Sequence, residues 1–133
     1  MKNQIKLTAL LGALAVAVGA FGAHGLKAMV SPENLEIFRT GVTYHFYHVL
    51  AMGLAVALSA VPGVEGKWLR RSVWCWAVGI LLFSGSLYLL SLQEVSSVPT
   101  AVLGPVTPLG GLFFIVGWLL LIPAAGAKKS VDA

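Results

Sequence analysis

The sequence predicts an all-α fold, a four-helix transmembrane bundle, and three observations carry that expectation. Of 133 residues, 58% are hydrophobic and 11% are charged, where a soluble globular domain carries roughly 25% charged residues. The apolar residues fall in blocks of about 20, the length of helix that crosses a bilayer core. The few charges stand between these blocks, and a soluble chain of this length has too much surface for so few to cover. The net charge of +4 is likewise spread over the block ends. It reads as anchoring to anionic lipid headgroups, and no nucleic-acid partner is expected.

The first block, residues 7–26, is bracketed by Lys6 and Lys27. A Lys-bearing start, an apolar stretch and the small-residue run Ala20-Phe21-Gly22 also fit a signal peptide. Two features favour a retained span: the apolar stretch is longer than the usual signal core, and it carries a packing face. Gly12, Ala15, Gly19 and Gly22 recur at helical spacing as a small-residue stripe suited to close helix contact, with Leu10, Leu14 and Phe21 facing elsewhere.

Ser31-Pro32-Glu33 has the pattern of a helix start: an N-cap, a proline at the first helical position and an acid in the first turn. A short amphipathic helix is expected there, carrying Leu35, Ile37 and Phe38 along the outer surface and bending near Gly41 into a second span at about 43–61. Within that span Phe38, Gly41, His45, His48, Met52 and Ser59 share one helical side, and Tyr47, Leu50, Leu54 and Leu58 the other. The histidine side is expected to face the bundle.

A third span, about 72–92, runs between Arg70-Arg71 and Glu94, with Trp68, Trp74 and Trp76 placed as interfacial indoles at its start. Ser84, Tyr88 and Ser91 form a polar stripe on it, and such stripes face protein or water rather than lipid. Residues 95–127 carry no charge and contain Pro99, Gly104-Pro105 and Pro108. The fourth span, about 98–123, is therefore expected to be broken near its outer end, with a short piece capped by Ser97 and a helix restarting at Thr107-Pro108. Residues 1–133 are read as a single integral membrane domain.

Lysines and arginines number two before span one, two in the first loop, three in the second, none in the third and two in the tail. Seven then share one side and two the other, so the positive-inside rule places both termini in the cytoplasm and the chain in the inner membrane. Cys75, the single cysteine, lies inside an apolar block and reads as a small buried hydrophobe rather than a reactive thiol.

The polar cluster of interest is His24, His45 and His48, which this threading places at the outer interface, with Ser84, Tyr88, Ser91 and Thr107 at hand. No ionisable residue is expected at mid-depth in any span. Two histidines three apart and a third from a neighbouring helix would suit zinc or copper, and a facing pair would suit haem. The sequence lacks HExxH and an intramembrane aspartate, so the favoured role is hydrogen bonding to backbone carbonyls and to hydroxyls, with His24 or His48 reaching residues 104–108 or the span-three stripe. No cofactor is expected.

The ordered segments Gly19-Ala20-Phe21-Gly22-Ala23-His24, Thr40-Gly41 with Tyr44 and His48-Val49-Leu50-Ala51, Phe83-Ser84-Gly85-Ser86-Leu87-Tyr88, and Thr107-Pro108-Leu109-Gly110-Gly111 with Gly117-Trp118 resemble domain-of-unknown-function family 423. The resemblance covers nearly the whole chain. It implies a small four-span integral membrane protein of unassigned activity, supplies no catalytic residue, and includes histidines matching His24 and His48 but not His45. The expected function is that of a non-enzymatic accessory or assembly component of a membrane complex, its partners being the bilayer, other membrane proteins or a second copy of itself. The alternatives are a histidine-ligated metal or haem redox component and a small oligomeric transporter or channel built around the fourth span.

Overall fold

The computed structural model describes residues 1–126; Ala127 and the tail lysines Lys128 and Lys129 lie outside them. Every regular element among the described residues is helical. Four helices are long and apolar enough to cross a membrane: α1 (Lys2–Ala23), α2 (Pro32–Leu58), α3 (Gly66–Leu90) and α4 (Thr100–Leu119). A 3₁₀ turn, Leu26–Ala28, follows α1, and a final helical turn, Leu121–Ala124, follows α4.

The small residues of α1 lie against α2 in antiparallel register. A Cβ added at Gly22 would meet the Phe38 ring at 2.6 Å, one at Gly19 would meet Val42 at 3.5 Å, and one at Gly12 would meet Val49 at 3.3 Å. Ala15 is fully buried between them. Leu10, Leu14 and Phe21 remain exposed on the outside of the helix, as suits a surface bathed in lipid.

No separate amphipathic helix precedes the second span. Ser31 accepts the Asn34 N–H at 3.3 Å, Pro32 occupies the first helical position, and the helix then runs unbroken for 27 residues. Leu35 and Phe38 turn inward and bury with Leu26 beneath the first loop, while Glu33, Glu36 and Arg39 keep to the exposed side. Gly41 makes no bend. It lets α3 come close, since a Cβ there would stand 2.8 Å from the Tyr88 ring.

Helix α3 consists of Gly66–Gly79, a π turn at Ile80–Ser84, and Gly85–Leu90, with the Gly85 N–H reaching back five residues to the Ile80 carbonyl. Trp76 is fully buried against α4, so it is a core residue and not an interfacial indole. Trp68 does sit among cations, with Lys67 Nζ 5.6 Å and the Arg71 guanidinium 4.8 Å from its ring.

The expected break near Gly104-Pro105 is absent: Pro105 and Pro108 are both inside α4. Breaking a helix at membrane depth strands backbone groups where no water can reach them, and this favours tolerating two missing N–H groups within a continuous helix. At 20 residues that helix reaches roughly 30 Å, a full bilayer core, so no second piece is needed to complete the crossing. The interruption falls instead at Leu120, ahead of Pro123, whose missing N–H cannot serve the Leu119 carbonyl. There the Ala124 carbonyl accepts the Glu65 N–H at 2.8 Å, which ties the end of α4 to the α2–α3 loop. In that loop Gly63 takes φ +85°, a conformation L side chains rarely adopt.

The helices pack in chain order, α2 and α3 forming the middle, α1 lying on α2 and α4 on α3. Gly79, Gly110 and Gly117 bring α3 and α4 together: a Cβ at Gly79 would overlap Phe114, one at Gly117 would overlap the Trp76 indole, and one at Gly110 would overlap the Phe83 backbone. Because α4 keeps to α3, a groove is left open between α2 and α4.

Candidate functional site

The registers of the four helices fix depth. Gly19 faces Val42 and Gly12 faces Val49, so His45 on α2 is level with residues 15–16, the middle of the uncharged stretch 7–26. Gly110 faces Phe83, which puts the π turn of α3 and the middle of α4 in the same zone. His45 and His48 therefore lie at mid-depth and not at the outer interface, because α2 begins at Pro32, 13 residues before His45 and roughly 20 Å along the helix axis. Ionisable side chains do occur at mid-depth in this chain, and such residues face the interior and have partners.

His24 alone stays near the helix ends. Its ring is exposed at the end of α1 and bonds the Ala20 carbonyl of its own helix at 3.1 Å. From the Gly22–Phe38 level to the Gly12–Val49 level α2 advances 11 residues, roughly 16 Å, and this is about the axial gap between His24 and His48. The three imidazoles are not gathered, and among the described residues no three His, Cys, Asp or Glu side chains come together as a metal site.

His45 links three helices. One ring nitrogen, Nε2, lies 2.9 Å from the Leu11 carbonyl of α1, and the other, Nδ1, lies 2.8 Å from the Tyr88 hydroxyl of α3. A carbonyl only accepts, so Nε2 carries the proton and, in the neutral ring, Nδ1 accepts from the Tyr88 O–H. One turn along, His48 links α2 to α4. The Trp118 indole N–H donates to Nε2 at 3.1 Å, and Nδ1–H donates to the Tyr44 carbonyl at 2.7 Å. An indole only donates, so this ring is the neutral Nδ1–H tautomer. Its face stacks on Phe114 with centroids 3.6 Å apart and planes within 6°.

The remaining stripe residues divide. The Ser84 hydroxyl, fully buried, crosses to the Gly41 carbonyl of α2 at 2.7 Å. Ser91 donates to the Tyr88 carbonyl within α3. Thr107 pairs with Ser86 of α3 at 2.6 Å. Within hydrogen-bonding distance, then, Tyr88 is met by His45 and not by His24 or His48, and Thr107 is met by a serine. Leu11, Ser86, Phe114 and Trp118 were absent from the expected set. Trp118 carried the available signal: an indole in an otherwise apolar helix needs an acceptor, and acceptors at that depth are few.

At the other end of the bundle a clasp joins the first and third loops. The Ser31 hydroxyl and backbone N–H, the latter 2.9 Å from Oε2, hold the Glu94 carboxyl below the usual carboxylate range. The Gln93 amide donates to Asn34 at 3.0 Å. A carboxylate over the first turn of α2 also complements that helix dipole.

Beside His48 opens the groove between α2 and α4, a space of about 850 Å³ walled by Tyr44, Tyr47, Phe83, Phe114 and Trp118.

Four apolar helices, cross-linked at mid-depth by two imidazoles and carrying no assembled metal cluster among the described residues, define a small multi-pass α-helical membrane protein. Residues 18–111 match the family described as "Protein of unknown function (DUF423)", and the chain belongs to that family. It is 43% identical over 125 residues to the UPF0382 membrane protein YwdK of Bacillus subtilis, covering 94% of this chain and 97% of that one. It is 42% identical over 132 residues to a UPF0382 membrane protein of Haemophilus influenzae, covering 98% and 100%. No solved structure matches.

Proposed function

We propose that this protein is a non-enzymatic component of a membrane assembly, resident in the inner membrane with both termini cytoplasmic. The observation that supports it best is that both nitrogens of each intramembrane imidazole are already engaged with other parts of the chain. A metal or haem iron would have to displace Trp118 from His48, or Leu11 or Tyr88 from His45. An intramembrane proton path would need a run of titratable groups, and the buried side-chain atoms without a partner among the described residues, the Ser72 hydroxyl and the Trp76 N–H, do not titrate. The imidazoles fasten helices, and what the fold offers outward is apolar surface.

Optical spectroscopy and metal analysis of the detergent-purified protein test this reading, together with native mass spectrometry of the tagged protein extracted under mild conditions. The expected result is no Soret band, less than stoichiometric metal, and a second membrane protein retained at fixed ratio. A haem spectrum or one metal per chain that disappears in His48→Gln would replace this reading with the redox alternative.

The orientation rests on the seven-to-two division of lysine and arginine between the two sides. Reporter fusions after Pro62 and after Ala127 should read cytoplasmic, and one near Glu94 external. An external reading at either of the first two sites would reverse the topology.

A further inference from the structure

The groove between α2 and α4 is bounded in length as well as in chemistry. Its wall runs from Tyr44 to Leu50 on α2 and from Pro108 to Trp118 on α4, which is roughly 10 to 16 Å of helix axis. Both stretches start near mid-depth and run toward the end of the bundle that holds Met1 and the α2–α3 loop. That is about half of a 30 Å hydrocarbon core, the depth of one leaflet. A partner's transmembrane helix would need a seat along the whole crossing, whereas a lipid chain needs one leaflet.

The Trp118 N–H is bound to His48, and the other His48 nitrogen to the Tyr44 carbonyl, which leaves the Tyr44 and Tyr47 hydroxyls as the polar side-chain atoms of an otherwise apolar lining. The interior of the groove is left with aromatic faces, Phe83, Phe114 and Tyr44, which favour hydrocarbon. Beyond its interfacial end the first turns of α3 carry Arg70 and Arg71, both exposed and neither paired with a carboxylate among the described residues. Nearby Lys67 is paired with Glu65 at 3.1 Å. Two guanidiniums without a carboxylate at a membrane surface, one of them resting on the Trp68 ring, suit a phosphate.

We propose that the groove between α2 and α4 holds one acyl chain of an anionic phospholipid from the leaflet at the Met1 end, with its phosphate at the level of Arg70 and Arg71. Such a resident lipid completes the open side of the bundle and covers Tyr47, Leu112 and Ile115, which line the groove and are exposed. It goes beyond the accessory reading above and stands or falls separately from it.

The test is native mass spectrometry of the protein released from nanodiscs of mixed phosphatidylglycerol and phosphatidylethanolamine. The wild type should keep one phosphatidylglycerol after detergent exchange. Gly111→Leu places a side chain in the groove at a position where an added Cβ meets only the Phe83 ring, at 3.7 Å, so it should fill the seat without disturbing the helix contact. Retention should then drop roughly tenfold or more with the melting temperature held. R70Q/R71Q should abolish the preference for phosphatidylglycerol over phosphatidylethanolamine. Unchanged retention in folded Gly111→Leu would overturn the assignment to this groove. An unchanged headgroup preference in R70Q/R71Q would overturn the anionic assignment, and protection of the groove by a co-purified helix in place of lipid would overturn both. Should Gly111→Leu fail to fold, Leu50→Trp at the exposed rim gives the same readout.

Discussion

Gly110→Ala should be the most damaging single-methyl change in the chain. The new Cβ would fall on the Phe83 backbone nitrogen, with the Leu82 carbonyl carbon 2.8 Å away, and backbone cannot move aside as a side-chain tip can. Forcing extra volume into a packed contact costs typically 1–3 kcal/mol and occasionally more, and about 3 kcal/mol or above is expected here. Gly22→Ala should cost less, since its obstacle is the Phe38 ring, and Gly19→Ala less again. Gly53→Ala and Gly104→Ala meet nothing within 4 Å and should be neutral, or stabilising by roughly 0.5–1 kcal/mol through helix propensity. Melting temperatures in one detergent rank the five. Equal losses at Gly110 and Gly104 would mean that close approach of α4 to α3 is not what the glycine provides.

That ranking marks where the sequence was legible. The stripe on α1 could be read because small residues recur at helical spacing in a helix otherwise made of large ones. The glycines joining α3 to α4 could not, because Gly79, Gly110 and Gly117 are sparse and their partners Phe114, Phe83 and Trp76 are large residues whose inward direction no single periodicity reveals. The number of spans was legible from charge spacing alone. Depth was not: the helix start at Ser31-Pro32-Glu33 was legible, but Glu33, Glu36 and Arg39 suggest a helix lying along the surface, whereas they ride the exposed face of a helix that already runs into the bundle. Starting the span only after a bend near Gly41 carried both histidines to the interface. The break expected in α4 failed for a related reason. Proline breaks helices readily where water can accept the freed backbone groups, and hydrocarbon withdraws that alternative. The chemical character of the cluster, imidazole meeting carbonyl and hydroxyl, was legible from residue types. Which imidazole met which partner depended on register between helices.

The His45–Tyr88 pair should show measurable coupling at mid-depth. His45→Leu removes the acceptor of the Tyr88 O–H and the donor to the Leu11 carbonyl. That carbonyl lies within the α1 helix, so the larger loss is at the phenol, whose ring sits under Gly41 and whose hydroxyl is left with the Ser84 side chain beside it, itself donating to the Gly41 carbonyl. A buried polar group left unpaired costs about 1–3 kcal/mol. Tyr88→Phe keeps the ring in that seat and strands the imidazole Nδ1 instead. In His45→Leu combined with Tyr88→Phe neither orphan exists, so the double variant should be less destabilised than the two single losses together, by about 1 kcal/mol. Interhelical hydrogen bonds in membranes measured in this way average about 0.6 and reach about 1.7 kcal/mol, so the expected value lies within the known range. Tyr47→Phe, at a hydroxyl on the exposed face of α2, serves as the control and should show no coupling to His45. Additive losses for His45 and Tyr88 would mean that the bond is not maintained in the folded protein, and the link from α1 through His45 to α3 would then have to be carried by packing alone.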